Sequence, residues 1–146
     1  MKHIPWKYLA GLIDGEGCID VQVTSYVYVR PRLRIGLTMT SRFLLEMLQA
    51  NLGGFISDRP GSGNHRPSAC WELVGYGPAC KTLRNIVNHL FLKKEQARLC
   101  LWLETNVKGK HVSTEVRDAI REELSLMKRD PHRLSEKAQE RIISLL

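Results

Sequence analysis

Tyr8-Leu-Ala-Gly-Leu-Ile-Asp-Gly-Glu-Gly-Cys-Ile-Asp20 changes character halfway along. It opens as an apolar, helix-forming stretch. It then crowds three glycines and two acids into seven residues, Gly11 to Gly17. Pro5 suits the first turn of a helix, so a helix is expected over 5–14, broken by Gly15 and Gly17. Gly11 and Gly15 lie four residues apart on one helical face, where small residues let two helices approach closely. Ending the helix explains Gly15 but not Gly11, because a glycine inside a helix costs ~1 kcal/mol against alanine. Asp14 and Glu16 fall at the helix C-terminus, where the dipole favours cations. A bound divalent metal offsets that mismatch, and Mg²⁺ takes one or two carboxylates with waters and phosphate oxygens. Simple solvation of the two acids is the alternative.

Beyond Gly17 the period changes to two. Ile19, Val21, Val23, Val27 and Val29 alternate with Asp20, Gln22, Thr24, Tyr26, Tyr28 and Arg30, the pattern of a half-buried strand. Pro31 reads as a turn. Leu33, Ile35, Leu37 and Met39 then alternate with Arg32, Arg34, Gly36 and Thr38, completing an antiparallel hairpin. Ser41 is placed to N-cap a helix carrying Phe43, Leu44, Met47, Leu48 and Leu52, which Gly53 and Gly54 end. Residues 55–59 and 69–76 read as a second hairpin around a loop of turn formers, 60–67. Helices are expected over 78–89, 94–106, 113–128 and 135–145, with Pro131 separating the last two. The order is α+β, with four strands able to form one antiparallel sheet. A chain of 146 residues fits one domain with a real core. The expectation is a single domain over 1–146, with a core at about 5–106 and a helical addition at about 107–146.

Composition narrows the function. Hydrophobic residues make up 43%, which excludes a disordered chain. No apolar run reaches the ~20 residues of a membrane span. The apolar stretch at Leu9–Ile13 is too short for a signal peptide. An intracellular protein with no membrane partner is therefore expected. Cys18, Cys70, Cys80 and Cys100 form no CxxC pair, so reduced thiols are expected rather than a zinc site. The net charge of +7, from 22 Lys and Arg against 15 Asp and Glu, favours a polyanion, most simply nucleic acid. On the first hairpin the polar face carries Gln22, Thr24, Tyr26, Tyr28, Arg30, Arg32, Arg34 and Thr38, with Asp20 its one acid. Arg reads guanine bidentately, Gln reads adenine, and a two-stranded ribbon fits the major groove of B-DNA. On the second hairpin Ser57 and Arg59 share a face with Cys70 and Glu72, while Ile56, Trp71 and Leu73 point to the core. An ordinary solvated face is the alternative for both ribbons.

Leu9-Ala-Gly-Leu-Ile-Asp-Gly-Glu-Gly17 resembles the signature of the LAGLIDADG homing endonucleases, matching it at seven of nine positions. The surrounding order also resembles that family's αββαββα core, a saddle of four antiparallel strands, over about Pro5 to Asn106. The resemblance implies a site-specific double-strand DNA endonuclease. In it Glu16 holds the catalytic divalent metal, Mg²⁺, and the Gly15 carbonyl contacts that metal. Asp14 caps or tethers the motif region. Phe91-Leu-Lys-Lys-Glu-Gln-Ala97 resembles the segment before the family's later helix, where a lysine reaches the active site. Lys93 is that candidate and Lys94 the fallback. The ribbon residues, with Ser57, Arg59 and Glu72, become the DNA-contacting set. One motif copy implies a homodimer joined through Leu9, Gly11, Leu12 and Gly15, acting on a long, near-palindromic target. The chain departs from the family pattern at Met39, where members often carry Gln or Asn near the metal. An intron RNA maturase, or a DNA regulator that binds without cutting, is the alternative on the same fold.

Overall fold

Helix α1 (Trp6–Glu16) runs straight into strand β1 (Gly17–Thr24) with no loop between them. In this computed structural model, which describes residues 3–25 and 28–146, there follow β2 (Tyr28–Thr38), α2 (Arg42–Leu52), β3 (Phe55–Arg59) and β4 (Ser68–Val74). The chain then forms α3 (Pro78–Ile86), α4 (Lys94–Asn106), α5 (Thr114–Arg129) and α6 (Ser135–Leu145). The sheet is antiparallel in the order β1-β2-β4-β3. This is the αββαββα arrangement expected from the pattern, with α4, α5 and α6 following it.

Alternation sets which face is buried. Ile19, Val21, Val29, Leu33, Ile35, Ala69, Trp71 and Leu73 lie on one face and are buried under the helices. Trp71 is fully buried, and its indole N–H donates to the Gly53 carbonyl at 2.9 Å, tying the end of α2 to β4. At Gly54 a Cβ would stand 2.3 Å from the Glu72 carbonyl oxygen, so only glycine fits.

Four local expectations are corrected. Pro31 is not the turn: it is paired with Val21 inside β2, and the hairpin turns after Thr24. Its carbonyl accepts the Gly75 N–H at 2.9 Å, so its polar edge faces β4 just beyond where that strand ends at Val74. The missing N–H costs no ladder bond, because the Gly75 carbonyl accepts the Ala79 N–H at 3.0 Å instead. Tyr26 and Val27 lie outside the described residues. Helix α1 continues past Asp14 to Glu16, so Gly15 is helical, and Gly17 makes the break with an extended backbone. Met39 is not on the apolar strand face; it opens a short 3₁₀ turn, Met39–Ser41, and is exposed. Ser41 precedes α2 but its side chain makes no capping bond.

Leu9 is also corrected. With Ala10 and Ile13 it is buried in this chain's own core, at 1% exposure, and cannot face a second helix. The opposite stripe of α1 presents Tyr8, Gly11 and Gly15 exposed and Leu12 half-buried.

Gly17 is fixed by close packing. A Cβ there would stand 2.8 Å from Ile13 Cα and 3.2 Å from the Arg34 carbonyl oxygen, both rigid backbone. Gly17→Ala is expected to cost about 1–3 kcal/mol, the range for overpacking. Urea unfolding should show a lower midpoint at unchanged slope; a midpoint equal to the wild type's would contradict the packing account.

The C-terminal helices are built onto this frame. Val116, Ala119, Ile120, Leu124 and Met127 form the buried stripe of α5, and the Ser113 hydroxyl accepts the Val116 N–H at 3.1 Å as a cap. α5 packs against β1, α4 and α6. Fully buried Glu123 accepts hydrogen bonds from Arg133 at 2.6 to 3.0 Å and from Arg141 at 3.3 Å. Glu95 of α4 accepts the Ser135 N–H at 3.1 Å, fixing the start of α6. No helix among the described residues is long and apolar enough to cross a membrane.

Candidate functional site

Because α1 passes into β1 without a loop, its last residue stands at the end of the sheet. Glu16 is exposed, and its carboxylate makes no hydrogen bond or ion pair with the described residues. The Ile13 carbonyl accepts the Gly17 N–H, and the carbonyls after it in the last turn lie beyond the helical ladder. Lys93 reaches them: its ammonium donates to the Ile13 carbonyl at 2.9 Å and to the Asp14 carbonyl at 2.7 Å. A cation is thus supplied to the negative end of α1. Burial, above all, holds Lys93 below the ordinary lysine value of 10.5, against the opposing pull of Asp14. Lys94 begins α4 and makes no such contact.

Asp14 does what the resemblance implied. One carboxylate oxygen accepts the Phe91 N–H at 2.7 Å, and the other accepts Leu92 and Lys93 N–H at 3.2 and 3.1 Å. Three donors ahead of α4 therefore converge on one carboxylate, the arrangement that suits a helix start. Asp14 thereby holds the Lys93 turn against α1. Glu16, Lys93, Gln96 and Lys128 border one cleft of about 380 Å³.

The donor set suits a hard cation. Glu16 offers an unpaired carboxylate, and the helix end offers carbonyl oxygen, both oxygen ligands of the kind Mg²⁺ takes. Among the described residues no three His, Cys, Asp or Glu side chains gather into a metal cluster. None of the four thiols forms a disulfide, and burial pushes Cys80 up to about 12 and Cys100 well above its ordinary value.

The free face of the sheet gathers the predicted ribbon residues. Register places Thr24 with Tyr28, Gln22 with Arg30, Asp20 with Arg32 and Cys18 with Arg34. Across β4 it adds Glu72 beside Arg34 and Ser68 beside Thr38, and β3 adds Ser57 and Arg59. The arginines are not loose. Arg32 donates to both Asp20 oxygens at 2.9 Å, and Arg34 donates to Asp20 at 2.7 Å. The hydrogen bond to Asp20 raises Arg32 further above its ordinary value. Arg30 donates to Gln22 at 2.8 Å. The Nε of Arg30 and of Arg34 are buried without a partner. Tyr28 is engaged from outside the sheet: its hydroxyl lies 2.7 Å from His111 Nε2, with the rings edge to face at 4.8 Å. Half-buried carboxylate–arginine pairs of this kind fix side-chain direction before a ligand arrives.

Sequence reasoning missed the Tyr28–His111 contact and the cations of α5. Arg117, Arg121 and Lys128 repeat at helical spacing on α5 and border clefts along β1. Their spacing was visible, but nothing local says that this face lies beside β1.

Known proteins share this fold. The profile of the LAGLIDADG endonuclease family matches residues 9–105. DNA endonuclease I-CvuI of Chlorella vulgaris is 30% identical over 106 residues, a match that covers 68% of this chain and 63% of that protein. The crystal structure of I-CvuI in complex with the I-CreI target superposes with a TM-score of 0.69 at 26% identity, covering 96% of this chain and 93% of that one. The archaeal intron-encoded homing endonuclease I-Vdi141I, complexed with DNA, shares the fold at a TM-score of 0.64 and 20% identity, covering 96% and 95% of the two chains. With the motif at the α1–β1 junction, the four-stranded antiparallel sheet and the profile match in hand, this chain belongs to the LAGLIDADG endonuclease family.

Proposed function

We propose that this chain is a site-specific DNA endonuclease that hydrolyses both strands of a long, near-palindromic target as a homodimer, with a divalent metal. The observation that carries the reading is Glu16: an unpaired carboxylate beside Lys93, at the end of a sheet face lined with oriented arginines. I-CvuI, a DNA endonuclease, has been crystallised with DNA targets in the presence of Mg and of Ca, which supports a divalent metal here.

The dimer reading rests on α1. A Cβ at Gly11 or Gly15 would meet nothing within 4 Å in this chain. The fold itself does not need either glycine, so their helix cost finds its reason in a second α1 packed on the Tyr8–Gly11–Leu12–Gly15 stripe. A two-fold axis there brings two Glu16 residues together and makes the preferred target near-palindromic.

Each residue then has a task. Gln22, Thr24, Tyr28, Arg30, Arg32, Arg34, Thr38, Ser57, Arg59 and Glu72 face the major groove. Glu16, with the Gly15 carbonyl, would hold Mg²⁺. When bound, that ion supplies Lewis-acid stabilisation of the charge developing on phosphate. Lys93 has two ammonium hydrogens committed to α1, leaving its third for a water or a phosphate oxygen.

Incubation with a randomised plasmid library, with Mg²⁺ and separately with EDTA, followed by sequencing of broken ends, tests the reading. Metal-dependent ends at one near-palindromic site are expected. Retained DNA or RNA binding without any cut would favour the maturase or regulator reading.

Lys93 also gives a pH prediction. Its lowered value means that the ammonium is lost at lower pH than in an ordinary lysine. Single-turnover cleavage should therefore decline on the alkaline side before the ordinary lysine value, and Lys93→Arg should move that decline upward, because arginine stays charged. An alkaline limb unmoved in Lys93→Arg would remove Lys93 from the reaction.

A further inference from the structure

The cleft beside Glu16 contains a second cation that no sequence motif marks. Lys128 enters it from the last turn of α5. Lys93 has two of its three donors taken by α1 carbonyls. Lys128 is exposed and makes no hydrogen bond or ion pair with the described residues, so all three of its donors are available. Two ammonium groups and one carboxylate thus share about 380 Å³. A divalent ion at Glu16 adds still more positive charge. Like charges gathered this closely are unfavourable unless an anion joins them.

A lysine at a helix C-terminus is ordinarily explained by the dipole. Arg129, the next residue, serves that purpose from outside the cleft. Position in the fold adds an independent reason. A second cleft, of about 320 Å³, shares Lys128 and Gln96 with the first and runs on to Asp20, Arg32, Arg34 and Arg121. Lys128 therefore stands where the arginine face of the sheet meets the Glu16 cleft. A nucleic-acid strand leaving that face for Glu16 passes it.

We propose that Lys128 is a phosphate-contacting residue of the active site, gripping the DNA strand presented to Glu16; this rests on the endonuclease reading above. Unlike Lys93, it reaches the substrate from the C-terminal helices, which gives α5 a direct part in the reaction.

Two measurements test it, with Lys128→Met, Lys128→Arg and Arg129→Met as variants. The first is the salt dependence of binding to a short duplex of arbitrary sequence in EDTA. Lys128→Met should lower the log K against log salt slope by about 0.9 per protomer, while Arg129→Met leaves it as in the wild type. The second is single-turnover cleavage of the library-selected target at saturating enzyme. Lys128→Met should slow it about 100-fold, and Lys128→Arg should restore most of the rate. An unchanged slope in Lys128→Met, or an equal fall in Arg129→Met, overturns the proposal. So does wild-type cleavage by Lys128→Met. A slope that falls only in Lys128→Met, in a protein whose wild type cuts nothing, keeps the phosphate contact and removes the endonuclease reading instead.

Discussion

Glu16→Gln is expected to abolish strand cleavage while leaving DNA binding and thermal stability at wild-type levels. The separation follows from the site. Glu16 is exposed and unpartnered, so the fold loses nothing when its charge is removed. The amide keeps the shape of the side chain but is a poor ligand for a hard cation. Metal stabilisation of a phosphoryl transition state is worth several kcal/mol, and each ~1.4 kcal/mol is tenfold in rate. A loss of about 10³-fold or more in single-turnover cleavage is therefore expected. Anisotropy titration of the same duplex should give a wild-type affinity or a slightly higher one, because a negative charge has left the phosphate path. Cleavage at the normal rate would refute the metal assignment.

Asp14→Asn should produce the opposite profile, a large loss of stability. The Asp14 carboxylate accepts three backbone N–H groups, from Phe91, Leu92 and Lys93. An amide retains one oxygen and turns an NH₂ toward at least one of those donors. Hydrogen bonds to charged groups contribute about 1.5–3 kcal/mol each, so a net cost of roughly 3 kcal/mol is expected. For a chain of this size that is a fall of about 6–12 °C in Tm. Cleavage should fall too, because the turn that carries Lys93 loses its anchor on α1. Calorimetry with single-turnover kinetics reads both effects. A wild-type Tm in Asp14→Asn would mean that the tether is incidental. Together the two variants separate the residue that builds the site from the residue proposed to hold the metal.

The sheet was legible in the sequence to an unusual depth, and its one large error shows why. A turn at Pro31 and the observed turn after Thr24 both pair even-numbered residues with even-numbered ones. Side-chain faces depend only on that parity, so Arg30, Arg32 and Arg34 were assigned to the correct face from the wrong turn. Partners, however, depend on the full register. Only the observed turn sets Asp20 opposite Arg32, which is why the grip of Asp20 on Arg32 and Arg34 was invisible. Leu9 was misplaced because the motif's spacing identifies a stripe of small residues, whereas the buried side of α1 is decided by the sheet beneath it. Asp14 was named as a tether through resemblance, but its partners lie in a turn far along the chain. Lys128 and His111 are further cases of that limit: the cleft that Lys128 borders and the contact of His111 with Tyr28 join residues that no local pattern brings together.

On the proposed function, two copies of this chain each bring one Glu16 to one DNA strand. A mixed dimer tests it most directly. Wild-type and Glu16→Gln chains carrying different tags are co-expressed, the mixed species is purified through both tags, and it is given supercoiled plasmid bearing the selected target with Mg²⁺. Nicked circles are expected, one strand cut and the other intact, where the wild-type dimer yields linear DNA. Linear product from the mixed dimer, or no cut in either strand, would contradict it.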